Sequence, residues 1–257
     1  MQYRCEAVSP AGFVNQLVRL ITKGYRFYVT GVVPKGKDPR ALDAKLIEKY
    51  YLHLGRESEY ARRKARSRNK AKGIAGVAYV RYERFYIIIA TKGERHRFFN
   101  SKDDPIRPGE SVIEWRTVNR DGGLTEYPVE VRIRDLENGE SCIRFDGYRI
   151  SKRPSADGSS WHSHVRIDDE EYQTLKAYLV ELAQHQTVSA LKAELHRVQF
   201  EPYDPVYKQM KNIVRAMNRA RKERGFKDRL TYKDIRWKIG SASPFIDYEQ
   251  LGDKDAA

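Results

Sequence analysis

The spacing of apolar residues changes once along this chain, and that change limits the fold more than any other feature. Up to residue 167, apolar and aromatic residues come mainly in short runs separated by Gly, Pro, Asn and Asp. Beyond it they recur at helical spacing. Short bounded runs read as strands, and recurrence at i, i+3 and i+4 reads as amphipathic helix. The opening is an exception inside the first part. Residues 2–8 read as a first strand. Ser9 at an N-cap and Pro10 behind it then start a helix carrying Phe13, Leu17, Leu20 and Ile21, with Gly24 as its stop. Residues 25–33 read as an interior strand. Asp38-Pro39 starts a second helix with Leu42, Leu46, Ile47 and Tyr50 on one face.

Further strands are expected over residues 76–80, 84–91, 112–118, 128–134, 141–150 and 161–167. Turns are expected at 81–83, 121–123 and 137–139, and loops at 102–110 and 153–160. Past residue 167, Asp168 and Glu171 form a start resembling a capping box, before a stripe of Tyr172, Leu175, Leu179 and Leu182. Thr187 opens a short helix with Val188, Leu191 and Leu195. Asp204-Pro205 opens a long one ending near Gly225. The expected class is α+β: a mostly antiparallel sheet with N-terminal helices and a C-terminal helical segment. Residues 1–167 form the sheet-rich portion. A basic helical portion, 168–240, packs on it as one domain, and residues 241–257 read as a polar, acidic, disordered tail.

Charge narrows the partners. Lys and Arg number 49 against 35 Asp and Glu, for a formal net charge of +14. The hydrophobic share of 40% supplies a core, so this excess sits on a folded body. Such a field attracts polyanions, DNA or RNA first among them. The two cysteines, Cys5 and Cys142, have neither metal-site nor disulfide-framework spacing, which suits a reducing compartment. The polar start has no signal-like apolar stretch, and no apolar run reaches membrane-spanning length. A cytoplasmic protein without membrane contact is the resulting expectation.

Two segments concentrate the positive charge. Residues 62–72 read RRKARSRNKAK, with Arg62, Arg63, Lys64, Arg66, Arg68, Lys70 and Lys72 and no acid. The run has no apolar stripe for a packed helix, so it reads as a segment that lies along phosphates and orders on binding. A nuclear-localisation signal or a solvated loop are the other readings of it. The long C-terminal helix is the second place. Val206, Met210, Ile213, Val214 and Met217 share one face, and Lys208, Lys211, Asn212, Arg215, Arg219 and Lys222 share the other. A merely solvated face is the alternative.

Aromatics alternate with arginines at Tyr25–Tyr28 around Arg26, and at Tyr79, Tyr82, Phe85 and Tyr86 around Arg81 and Arg84. Rings on a sheet stack bases while guanidinium groups hold the backbone, although sheet aromatics also serve as core. Residues 23–27, Lys-Gly-Tyr-Arg-Phe, resemble the RNP1 signature of the RRM family. These features point to a nucleic-acid-binding protein, as a module of a larger ribonucleoprotein or mobile-element complex. An acidic protein partner is the alternative polyanion.

Trp161-His162-Ser163-His164-Val165-Arg166-Ile167 carries more pointed chemistry. On a strand, His162, His164 and Arg166 share one face and Trp161, Val165 and Ile167 the other. Two imidazoles on one face can share a divalent metal, with Asp168 or Glu171 adding an oxygen ligand, and Arg166 suits a phosphate. The segment resembles the HUH endonucleases of replication initiators, relaxases and small transposases. That resemblance implies Mg or Mn held by His162 and His164. It also implies attack on a single-stranded DNA phosphate by Tyr207 or Tyr203. Tyr28-Val29-Thr30 resembles the family's first motif. No other cofactor is implied, and Walker A, G-x-S-x-G and H-E-x-x-H signatures are absent.

Overall fold

Ser9 ends its extended segment with its hydroxyl accepting from the Gly12 N–H at 3.1 Å, and helix α1, Pro10–Thr22, begins there. This computed structural model describes residues 3–52, 59–93, 96–99, 111–120, 123–237 and 244–245. Those residues fall into two compact units, one drawn from 1–141, 154–162 and 242–257, the other from 142–153 and 163–241. The strands 161–167 and 148–154 therefore contribute to both. The fold is α+β with antiparallel sheets, N-terminal helices and C-terminal helices.

The first unit centres on a four-stranded sheet. Its strands are β1, Tyr25–Val32; β2, Val77–Tyr82; β3, Phe85–Thr91; and β6, Arg134–Asp135. They are ordered β2-β3-β1-β6. Alternation assigns the two faces. Phe27, Tyr79, Ile88 and Ala90 form one buried cluster with Cys5, Phe98 and Phe99. Tyr28, Val80, Ile87 and Ile89, equally buried, point the other way, where α1 contacts β1 and β2. Phe13 of α1 meets Phe85 edge-on at 5.7 Å. Helix α2, Pro39–Lys49, is capped by Asp38 and lays Leu46 and Ile47 on the first cluster. Gly31 is needed for close approach, because a Cβ there would stand 2.4 Å from the Tyr86 hydroxyl.

Several local expectations change. Of the expected strand 2–8, residues 3–8 are described and only two of them pair, as isolated bridges, Glu6 to Arg81 and Ala7 to Phe245. The bridge at Phe245 ties that residue of the expected tail back to the N-terminal segment; the other tail residues lie outside the described residues except Pro244. Strand β2 runs on through Tyr82, so the turn is Glu83-Arg84, with Glu83 at φ 50°. A further hairpin joins β4, Ser111–Arg120, to β5, Gly123–Arg132, which begins earlier than residue 128. The loop at 102–110 and most of the turn at 121–123 lie outside the described residues.

Residues 59–71 depart furthest. They form a helix, α3, Glu59–Ala71, where the sequence suggested a segment without one. Arg, Lys and Ala are strong helix formers. Ala61, Ala65 and Asn69 are half-buried at four-residue spacing, so a narrow stripe of small residues replaces the missing apolar one.

Polar groups inside this unit are matched with care. Arg81 and Asp43 are 2% and 6% exposed and make a two-pronged ion pair at 2.8 and 2.7 Å. The Tyr79 hydroxyl donates to the same carboxylate at 2.5 Å, and Glu6 reaches the guanidinium at 3.1 Å. His96 stacks on Tyr50, and its Nδ1 accepts from the Phe98 N–H at 3.1 Å. Burial lowers its pKa, with the charge of Arg97 adding to that and a bond to the Tyr50 backbone opposing it. The unfolded chain therefore binds the proton more readily than the native one. The stability from neutral His96 is full above its ordinary value of 6.5 and is lost as pH falls through the lowered native value. Thermal unfolding should show a lower Tm at pH 5 than at pH 8, with part of that difference absent in His96→Gln. An unchanged pH dependence in the variant would rule this out.

The second unit has a three-stranded sheet, order β7-β8-β9: β7, Ile143–Phe145; β8, Tyr148–Pro154; and β9, Trp161–Ile167. Residues 141–150, expected as one strand, fold into a hairpin about Asp146-Gly147, both at positive φ. Helices α4, Asp169–Ala183, α5, Val188–Arg197, and α6, Asp204–Glu223, complete the unit. The Gln209 amide of α6 accepts from the Ile167 N–H at 2.8 Å and donates to its carbonyl at 3.1 Å, fixing the helix to β9.

Candidate nucleic-acid interface

Helix α6 separates its two faces as the spacing required. Val206, Met210, Ile213, Val214, Met217 and Ala220 are buried. Lys208, Asn212, Arg215, Arg219 and Lys222 are exposed and Lys211 is half-exposed. Asp204 pairs with Lys208 at 2.7 Å, so the first turn carries an acid and this cation is engaged at the surface. Surface pairs of this kind hold weakly, about 0–1 kcal/mol, and a phosphate can displace the carboxylate.

Aromatic rings interleave with the cations. The Lys211 ammonium stands 4.3 Å from the centre of the Tyr207 ring and 4.9 Å from that of Tyr232. Arg215 donates from Nε to the Tyr232 hydroxyl at 3.0 Å. Trp237 packs at a tilt against Tyr207, ring centres 5.3 Å apart. Tyr232 is 39% exposed. The result is a strip of rings and cations, Trp237–Tyr207–Lys211–Tyr232–Arg215. Sequence reading missed Tyr232 and Trp237. Their signal was aromatic interleaving in the basic stretch 229–238, the pattern it weighed on the sheet instead.

Arg221 lies on the same helix and does a different job. It is fully buried, donating to the carbonyls of Ala183 and Gln186 and to the Asp228 carboxylate, with its guanidinium 4.4 Å from the Phe226 ring centre. It anchors the chain leaving α6, and its charge is spent internally.

In the first unit, helix α3 carries Arg62, Arg63, Lys64, Arg66, Arg68 and Lys70, with Lys72 just beyond its end. Lys64, Arg66, Arg68, Lys70 and Lys72 are exposed. Of the sheet aromatics, Tyr25, Phe27, Tyr28 and Tyr79 are buried, and Tyr82, Phe85 and Tyr86 are half-buried. Arg81 is consumed by Asp43. Arg26 pairs with Asp135 and Glu137, and Arg84 donates to the carbonyls of Val33, Pro34 and Lys37.

The histidine strand also differs. Val165 and Ile167 are buried, but Trp161, expected inside, is 40% exposed. His162 is exposed and His164 half-buried. Arg166 donates to Asp169 at 2.7 Å, beside Arg149. Asp168 caps α4 and meets Arg144 at 3.3 Å. Among the described residues no group of three His, Cys, Asp or Glu side chains is placed to hold a metal ion. Tyr203 is the N-cap residue of α6, edge-on to Tyr148. Burial, then the charge of Glu201, makes its hydroxyl harder to ionise than an ordinary tyrosine. The Tyr207 ring meets Trp237 at a tilt and the Lys211 ammonium.

No protein family, curated protein or solved structure gives a significant match to this chain. No helix among the described residues is long and apolar enough to cross a membrane.

Proposed function

We propose that this protein binds nucleic acid, DNA or RNA, through the cationic and aromatic strip of α6, with the exposed cations of α3 as a second phosphate-binding surface. The division of α6 carries the reading. Its apolar residues are consumed by packing, while Lys211, Arg215, Arg219 and Lys222 remain at the surface beside two rings. Cations about one helical turn apart follow a phosphate backbone. Rings among them offer stacking surfaces for unpaired bases. A polyanion without bases would satisfy the cations and leave the rings unused.

The test is anisotropy of labelled single-stranded and duplex oligonucleotides over a range of salt. Each phosphate neutralised contributes about −0.9 to the log–log slope for duplex and about −0.7 for single strands. Affinity should fall by several orders of magnitude between low and moderate salt. Heparin should compete by charge alone, and single strands should resist it better than charge-matched duplex. Binding indifferent to salt, or displaced equally from both, would defeat the proposal.

A further inference from the structure

The first unit contains a cleft of about 630 Å³ that the helix faces do not account for. Its walls come from the N-terminal segment, α1, the residues just after α2, one side of α3, the start of β2 and residues 96–97. That volume is in the range of small-ligand sites, about 300–1,000 Å³. Three properties define what fits.

The first is flat aromatic surface. Tyr25, Tyr50, Tyr51 and His96 all line the cleft. His96 and Tyr50 lie nearly parallel, 20° apart, so this tier presents π surface, and burial disfavours the charged form of the imidazole. The second is positive charge without its opposite. Arg66 and Arg97 line the cleft, and no Asp or Glu is among the described residues that do. Arg66 is near enough for its charge to act on the Tyr25 hydroxyl. The third is a pair of amides, Gln16 and Asn69, which can both donate and accept.

Tyr51 adds a separate observation. It has φ 51°, a region disfavoured for a tyrosine, and the Arg97 guanidinium lies 4.7 Å from its ring centre. A backbone held there costs about 1–3 kcal/mol, and such strain gathers at ligand clamps. Here it sets an aromatic–guanidinium pair at the cleft.

Walls without an acid among the described residues disfavour metal ions and amines, and three arginines in all, Arg4 included, disfavour an uncharged apolar guest. Flat rings, guanidinium groups and amides together suit a flat heterocycle bearing an anion. We infer that the cleft is a nucleotide subsite, taking one base among Tyr50, Tyr51 and His96, its phosphate on Arg66 and Arg97, and its base edge on Asn69 or Gln16. The inference rests on the nucleic-acid reading and locates, within the first unit, the place where a single nucleotide is gripped. A free nucleoside monophosphate and the terminal unit of a strand share this chemistry.

Calorimetric titration of the full chain with AMP, GMP, CMP and UMP tests it, with adenosine and inorganic phosphate as controls. At least one monophosphate should bind, about tenfold or more tighter than either control. Arg66→Gln should weaken it about tenfold. Tyr51→Asn should do the same while leaving Tm equal or higher, because asparagine tolerates positive φ. That combination separates a lost ring from a lost fold. No heat with any monophosphate at millimolar concentration, equal binding of phosphate alone, or unchanged affinity in both variants would overturn the inference. If labelled oligonucleotides bind and monophosphates do not, the cleft inference alone fails. If monophosphates bind and oligonucleotides do not, strand binding fails and the cleft remains a site for free nucleotides. A 5′-phosphorylated oligonucleotide competing better than its unphosphorylated twin would assign the subsite to strand ends.

Discussion

Asp43→Ala is expected to lower the unfolding free energy by about 3–5 kcal/mol. The figure follows from what stays behind. Arg81 is 2% exposed, and Asp43 accepts from its Nε and Nη2. Burial works against the guanidinium charge, and the Asp43 carboxylate, with Glu6 behind it, more than offsets that cost. Alanine removes the main partner and leaves the charge in place, with Glu6 and the Glu83 carbonyl as its remaining contacts. The Tyr79 hydroxyl loses its acceptor as well. Small domains hold about 5–15 kcal/mol in total, so this one change removes a large part of the margin. Urea unfolding followed by tyrosine and tryptophan fluorescence should show the midpoint falling by about 2 M, for slopes of about 1–3 kcal/mol/M. Asp43→Leu with Arg81→Met should be milder than either single change, because the uncompensated charge has gone too. A midpoint within about 0.3 M of the parent would contradict this account of the core.

The second large effect concerns binding. Replacing Lys211, Arg215, Arg219 and Lys222 together by glutamine should remove up to four phosphate contacts. The loss in slope is then about 3, taking about −0.7 to −0.9 for each. Because observed affinity varies as that power of salt concentration, a slope smaller by about 3 means about a thousandfold weaker binding at 0.1 M salt. Stability should hardly change, since these side chains stand outside the packed face and Arg221, the buried cation of this helix, is untouched. Retained Tm with lost affinity is the expected pairing.

Much of this was legible in the sequence, and the failures have physical causes. The faces of α6 could be read because 3.6-residue periodicity fixes which side chains share a side, and Val206 through Met217 allow one solution. Caps at Ser9, Asp38 and Thr187 were equally local. The hairpin at Asp146-Gly147 carried a strong turn signal, a dipeptide suited to positive φ, and was lost inside a longer apolar run. Helix α3 was missed because a helix was assumed to need large apolar residues, whereas Arg, Lys and Ala favour helix on their own and Ala61, Ala65 and Asn69 are half-buried without them.

Buried charge was harder. Asp43 sits between Leu42 and Leu46 on a helix where the apolar residues were expected inside, and nothing local marks it as the most buried. Its partner is 38 residues away, so the pair exists only once α2 docks on β2. Arg26 and Arg84 likewise read as cations for a nucleic-acid backbone until their partners are in place. The cleft is non-local in the same way. Tyr25, Tyr50, Arg66 and His96 come from four separate stretches, and of these the sequence singled out only Arg66 as a phosphate ligand. His162 and His164 do share a strand, as the spacing suggests, and among the described residues no third His, Cys, Asp or Glu completes a metal-holding group with them.

The most direct measurement is the salt slope of oligonucleotide binding, compared between the parent protein and the variant with Lys211, Arg215, Arg219 and Lys222 replaced. A steep slope for the parent and one shallower by about 3 for the variant is the predicted result. Equal slopes for two folded proteins would contradict α6 as the nucleic-acid-binding face.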